Sequence, residues 1–102
     1  MNKLIEEKRS TLLGLCQKFH VRKMELFGSA AGDRFDPSRS DLDFLVTFED
    51  LEPAEYAEAY FSLLEALQDL FQRRVDLVVA SAVKNPYFLG EIQKTRTLLY
   101  AA

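Results

Sequence analysis

The sequence has one cysteine and one histidine, Cys16 and His20. A disulfide requires two cysteines and a structural zinc site requires four nitrogen or sulfur ligands, so neither can stabilise this chain. At 102 residues, 48% of them apolar, a single hydrophobic core is sufficient. We therefore expect one domain over residues 1–102. A lone cysteine also fits a reducing compartment, and we expect a cytoplasmic protein.

Long apolar runs and an excess of basic residues are also missing. No stretch approaches ~18 consecutive apolar residues, and the N-terminus turns acidic at Glu6 and Glu7, where a signal peptide would need its apolar segment. We expect neither a secreted nor a membrane-spanning protein. The net charge of -3 argues against direct binding of nucleic acid, which requires a basic face. A nucleotide held through metal ions is still compatible with this charge.

The apolar spacing predicts alternating helices and strands. Helices are predicted at residues 3–19, 54–71 and 87–100, and strands at 21–27, 41–48 and 75–80. The link between the first two strands is too short for a full crossover helix, so we expect them to pair antiparallel in a mixed sheet. The order of elements predicts an α+β (α/β-like) domain with a small mixed sheet of about three strands and helices packed on one face.

Three aspartates interrupt strands that are otherwise apolar. Asp41 and Asp43 are two residues apart, so both side chains lie on one side of their strand, and Asp76 can join them if its strand is adjacent and in register. Such carboxylates repel one another and raise each other's pKa, and a divalent cation such as Mg²⁺ relieves the repulsion. The alternatives are solvated acids at a strand start and, for Asp76, an ion pair with Arg73 or Arg74.

Gly28 and Ser29 follow the first predicted strand. Glycine permits close approach of the backbone, and N–H groups at the start of a following helix bind anions such as phosphate. An ordinary tight turn is the alternative for this pair alone. Combined with the three acids, the pair predicts a phosphate-binding turn and a metal site that serve one nucleotide. Arg39 is a further candidate to contact the triphosphate, ahead of Arg34 and Lys84.

These motifs resemble a known family. Residues 26–46, with eleven residues between Gly-Ser and Asp-x-Asp, the later Val-Asp-Leu-Val strand and the closing segment 85–100 are similar to a minimal nucleotidyltransferase of the DNA polymerase beta superfamily. The spacing is one residue longer than is usual in that family. The extra residue lies in the turn before Asp41, where added length has little effect on stability.

The resemblance implies roles for the candidate residues. Asp41 and Asp43 would hold two Mg²⁺ ions, and Asp76 would bind the catalytic ion and help to deprotonate the acceptor hydroxyl. Gly28 and Ser29 would hold the triphosphate of ATP. The enzyme would transfer AMP and release pyrophosphate.

The resemblance also implies a partner. Small stand-alone members of this family are often encoded with a helical HEPN-type RNase toxin, and they act as antitoxin by placing AMP on a tyrosine of that toxin. A hetero-oligomer with such a toxin is therefore expected. One alternative is an inactive antitoxin that neutralises its partner by contact alone. Another is an acidic metal-binding or regulatory module, which would leave Gly28 and Ser29 unexplained.

Overall fold

A computed structural model describes residues 2–32, 36 and 41–102. The four α-helices are α1 (Lys3–Glu7), α2 (Arg9–Lys18), α3 (Pro53–Phe71) and α4 (Pro86–Thr95). The four strands are β1 (Val21–Phe27), β2 (Leu42–Phe48), β3 (Val75–Val79) and β4 (Thr97–Ala101). Short 3-10 helices follow β1 and β3, at Gly28–Ala31 and Ala80–Ala82. None of the helices in these ranges is long and apolar enough to span a membrane.

The strands form one mixed sheet in the order β3-β2-β1-β4. Strand β1 pairs antiparallel with β2 and with β4, whereas β2 and β3 are parallel. The predicted fold class, the mixed sheet and the antiparallel pairing of the first two strands are confirmed. The parallel pair places the Cα of Asp43 directly opposite that of Asp76.

The fourth strand differs from the prediction, which continued the last helix to residue 100. Helix α4 ends at Thr95, because the backbone of Arg96 is extended (ψ 131°). The residues that follow include the strand formers Thr97 and Tyr100, and the edge of β1 offers them hydrogen-bond partners. Spacing alone could not separate the two outcomes, since a short apolar run fits either structure.

Helices cover both faces of the sheet, whereas helices on one face were expected. Alternate residues of β2, among them Phe44 and Val46, belong to the main core, together with Leu12 of α2 and Leu63 of α3. On the opposite face Phe27, Leu45 and Ile92 of α4 form a second, smaller cluster. Because successive strand residues point to opposite faces, Asp43 shares the face that α4 partly covers.

Glu25 is the one charged residue among those buried in the described ranges, at 6% exposure. Both of its carboxylate oxygens accept hydrogen bonds from Arg96, each at 2.8 Å. Hydrogen bonding to Arg96 is the main reason that the pKa of Glu25 is lowered from its ordinary value. This ion pair joins β1 to the segment between α4 and β4.

We expect Glu25→Gln to lower the free energy of unfolding at pH 7 by about 1–2 kcal/mol, because the Arg96 guanidinium loses a charged partner. A carboxylate with a lowered pKa stabilises the folded state above its ordinary pKa and loses that effect on acidification. The difference from the natural protein should therefore narrow as the pH falls below about 4.5. Urea unfolding of both proteins at pH 7 and pH 3.5 measures this difference in the free energy of unfolding.

Glu6→Gln is the control for this prediction. Its salt bridge with Arg9 joins two exposed side chains, so its removal should change stability by less than about 0.5 kcal/mol. An equal effect of the two substitutions would show that the buried ion pair has no special contribution.

Candidate active site

The parallel register of β2 and β3 brings two of the predicted site residues together. Asp43 and Asp76 are paired across the strands, and the Asp76 carboxyl lies near enough to raise the pKa of Asp43. Two carboxylates side by side repel each other, and a proton or a bound cation relieves that repulsion. The pair is thus an arrangement of acids that favours a cation beside it.

The pKa of Asp43 reflects this arrangement and is raised to about 6. Burial of the side chain contributes most, followed by the hydrogen bond to Asp76 and its charge, and then by the charge of Asp41. The charges that raise this pKa are those of two further aspartates. A cation would therefore be stabilised beside Asp43.

Asp41 lies one residue before β2 and is partly buried. Its charge acts on Asp43, which places it near the pair. Across the parts of the chain that the structure describes, no three His, Cys, Asp or Glu side chains form a complete metal-binding group. The donor set nevertheless suits Mg²⁺, which takes one or two protein carboxylates and completes its shell with water and substrate phosphates.

Gly28 is packed directly against Asp43. Its φ is +74°, in the left-handed region that favours glycine. A Cβ at this position would collide with a carboxylate oxygen of Asp43. Ser29 follows in the first turn of the short 3-10 helix. The predicted phosphate-binding turn and the predicted metal ligand Asp43 are therefore immediate neighbours in the fold.

A cleft of about 730 Å³ opens between this turn and α4. Its lining residues are Phe27, Gly28, Ser29, Gly32, Phe88, Glu91, Lys94 and Thr95. The contribution of α4 was not foreseen from the sequence. Thr95, which hydrogen-bonds Gly28 across 67 residues of chain, carries no local motif that could have indicated it.

Of the candidate phosphate-binding cations, Arg34 and Arg39 lie outside the described residues. Lys84 is exposed, in the segment that precedes α4. The contact between Arg39 and the triphosphate stays a prediction.

Comparison with known proteins identifies the family. Residues 8–99 match a family model described as "Nucleotidyltransferase domain". The chain belongs to this family. The nucleotidyltransferase is 38% identical over 80 residues to "Putative protein adenylyltransferase MJ0128" of Methanocaldococcus jannaschii, and the match covers 78% of each chain. A second protein of that organism, "Putative protein adenylyltransferase MJ1379", is 32% identical over 81 residues, again with 78% of each chain covered.

Solved structures share the fold. One described as a "putative minimal nucleotidyltransferase" superposes on this nucleotidyltransferase with a TM-score of 0.73 and 27% identity, covering 91% of this chain and 90% of the other. A toxin-antitoxin structure with AMP-PNP has a TM-score of 0.67 and 20% identity, covering 92% and 73%. A Shewanella oneidensis complex of a tri-AMPylated HEPN toxin with its MNT antitoxin has a TM-score of 0.65 and 18% identity, covering 95% and 72%.

Proposed function

We propose that this nucleotidyltransferase moves AMP from ATP to a tyrosine hydroxyl of a HEPN-type RNase toxin and so acts as its cytoplasmic antitoxin. The observation that carries the proposal is the placement of Asp43 opposite Asp76 on neighbouring strands, with the Gly28 turn packed against Asp43. In this reaction the hydroxyl oxygen bonds to the α-phosphorus, and the bond from that phosphorus to the β-bridging oxygen breaks. Pyrophosphate leaves, and the hydroxyl proton is taken up by a carboxylate.

The three aspartates would hold two Mg²⁺ ions. These would supply positive charge to the phosphate oxygens and lower the pKa of the acceptor hydroxyl. The residues of the chain have further tasks. Asp76 lies on the exposed edge strand of the sheet, so it is reachable by an acceptor and is the proposed proton acceptor. Asp43 is partly buried beside the turn, so it lies on the side of the site where the phosphates would bind.

Gly28 and Ser29 would bind the triphosphate. The left-handed φ of Gly28 turns the chain sharply at the end of β1. Because glycine has no side chain, the turn lies close to the Asp43 carboxylate, and a phosphate bound by the turn would lie next to it. Arg39 would add a positive charge on the phosphates. ATP is chosen as the donor because both curated relatives are named protein adenylyltransferases.

A protein acceptor is favoured by the open geometry of the site. Asp76 is exposed on the edge strand β3, so a large acceptor can reach it. A small free hydroxyl compound would bear the full entropic cost of being positioned there, whereas a docked protein offsets it through a broad interface. The solved toxin complexes of the same fold support a HEPN-type toxin as that protein.

The decisive experiment uses the purified chain with labelled ATP, Mg²⁺ and the product of the adjacent gene. We expect the label on the partner, and mass spectrometry should locate one or more AMP units on tyrosine. Asp50→Asn, which alters an exposed acid after β2, should leave the reaction unchanged. An unmodified partner that is nevertheless fully neutralised would instead support an antitoxin that acts by contact alone.

A further inference from the structure

The end of helix α4 is hydrogen-bonded to the Gly28 turn. The hydroxyl oxygen of Thr95, the last residue of α4, accepts a hydrogen bond from the backbone N–H of Gly28 at 2.8 Å. The contact joins residues 67 positions apart and is partly buried. It fixes the backbone at the point where Gly28 adopts its left-handed conformation.

Thr95 is itself held in place from the following residues. The Thr97 hydroxyl donates to the carbonyl of Thr95 at 3.1 Å. Arg96 makes its two hydrogen bonds to Glu25, which is buried in β1. The hydroxyl of Thr95 is therefore presented from a segment anchored to the same strand that leads into Gly28.

Gly28 lies so close to Asp43 that there is no room for a side chain between them. Even a single added carbon on Gly28 would collide with the Asp43 carboxylate. Asp43 is fixed independently, because β2 is paired on both sides, with β1 and with β3. A loosened turn would thus move relative to Asp43 while Asp43 itself kept its place.

We infer that Thr95 is a positioning residue, which holds the Gly28-Ser29 turn in the geometry that binds the nucleotide. The inference rests on the proposed function, in which this turn binds the triphosphate. Because the turn would hold the phosphates equally before and during transfer, its displacement should weaken binding of ATP and leave the chemical step nearly unchanged. Thr95 makes no contact with the acceptor in this scheme.

The test compares Thr95→Val with Thr95→Ser. Valine keeps the shape of the side chain but lacks the oxygen that accepts the hydrogen bond from Gly28, whereas serine keeps the hydroxyl. For Thr95→Val we expect the KM for ATP to rise about tenfold and kcat to change less than about threefold. The Gly28 amide should exchange with solvent about fivefold faster, in line with the loss of one hydrogen bond. Thr95→Ser should restore both values to within about twofold.

Thr47→Val is the matched control, because Thr47 is a half-buried threonine near the other end of β2. It should leave the KM for ATP and the Gly28 amide unchanged. If Thr95→Val lowers kcat with an unchanged KM, its role is only structural and the inference is wrong. If the natural protein neither binds ATP nor transfers AMP, the proposed function fails first, and this inference fails with it.

Discussion

Asp43→Asn should reduce AMP transfer by at least about 10³-fold, which corresponds to about 4 kcal/mol of transition-state stabilisation. The substitution retains the shape of the side chain but removes the negative charge beside Asp76 and the Gly28 turn. Asp76→Asn should have a similar effect, because the two carboxylates lie opposite each other on neighbouring strands and act on the same site. Transfer of labelled AMP to the partner, measured under single-turnover conditions, gives the rate.

The same variant should be as stable as the natural protein or more stable, by on the order of 1 kcal/mol at pH 7. The pKa of Asp43 is raised in the folded state, so the folded chain binds more protons than the unfolded chain between about pH 4 and pH 6. Stability contributed by this residue is therefore lost as the pH rises through that window. Because asparagine cannot ionise, Asp43→Asn removes the free-energy cost of a charged carboxylate at this position in the folded state.

Urea unfolding of Asp43→Asn and of the natural protein separates a chemical defect from a folding defect. The exposed acid Asp50 again provides the control, since Asp50→Asn should alter neither transfer nor stability appreciably. Near-normal transfer by both Asp43→Asn and Asp76→Asn would refute a metal-assisted mechanism at this site. A variant that transfers poorly but is folded and more stable is the expected result.

Strand periodicity was sufficient to predict the centre of the candidate site. The period of two puts Asp43 on one face of its strand, and a parallel neighbour in register puts Asp76 beside it. The partial burial of Asp43 could also be anticipated, because it interrupts an apolar run, whereas Asp76 interrupts another run but is exposed. The antiparallel pairing of β1 and β2 followed from the short connection between them.

Long-range contacts could not be predicted from the sequence. Thr95 reaches Gly28 only because α4 crosses the face of the sheet opposite to the main core. That placement depends on Ile92 packing against Phe27 and Leu45, which an apolar spacing of α4 does not reveal. Strand β4 was missed for a related reason, since its pairing with β1 decides between helix and strand.

Gly28→Ala is expected to abolish detectable transfer and to lower the free energy of unfolding by about 3 kcal/mol. Alanine is strained at a φ of +74°. Its Cβ would also meet the carboxylate of Asp43, so either the turn or the aspartate must move. Both consequences act on the site, because the turn and Asp43 are in contact.

Two other glycines provide controls for this prediction. Gly14 in α2 and Gly90 in α4 are exposed, and a Cβ at either meets nothing within 4 Å. Alanine at these helical positions should raise stability by roughly 0.5–1 kcal/mol and leave transfer intact. Gly90→Ala is the stricter control, because it alters the same helix whose last residue holds Gly28. Urea unfolding and AMP transfer by the three variants form the test, and an active, stable Gly28→Ala protein would show that the turn has no role in the site.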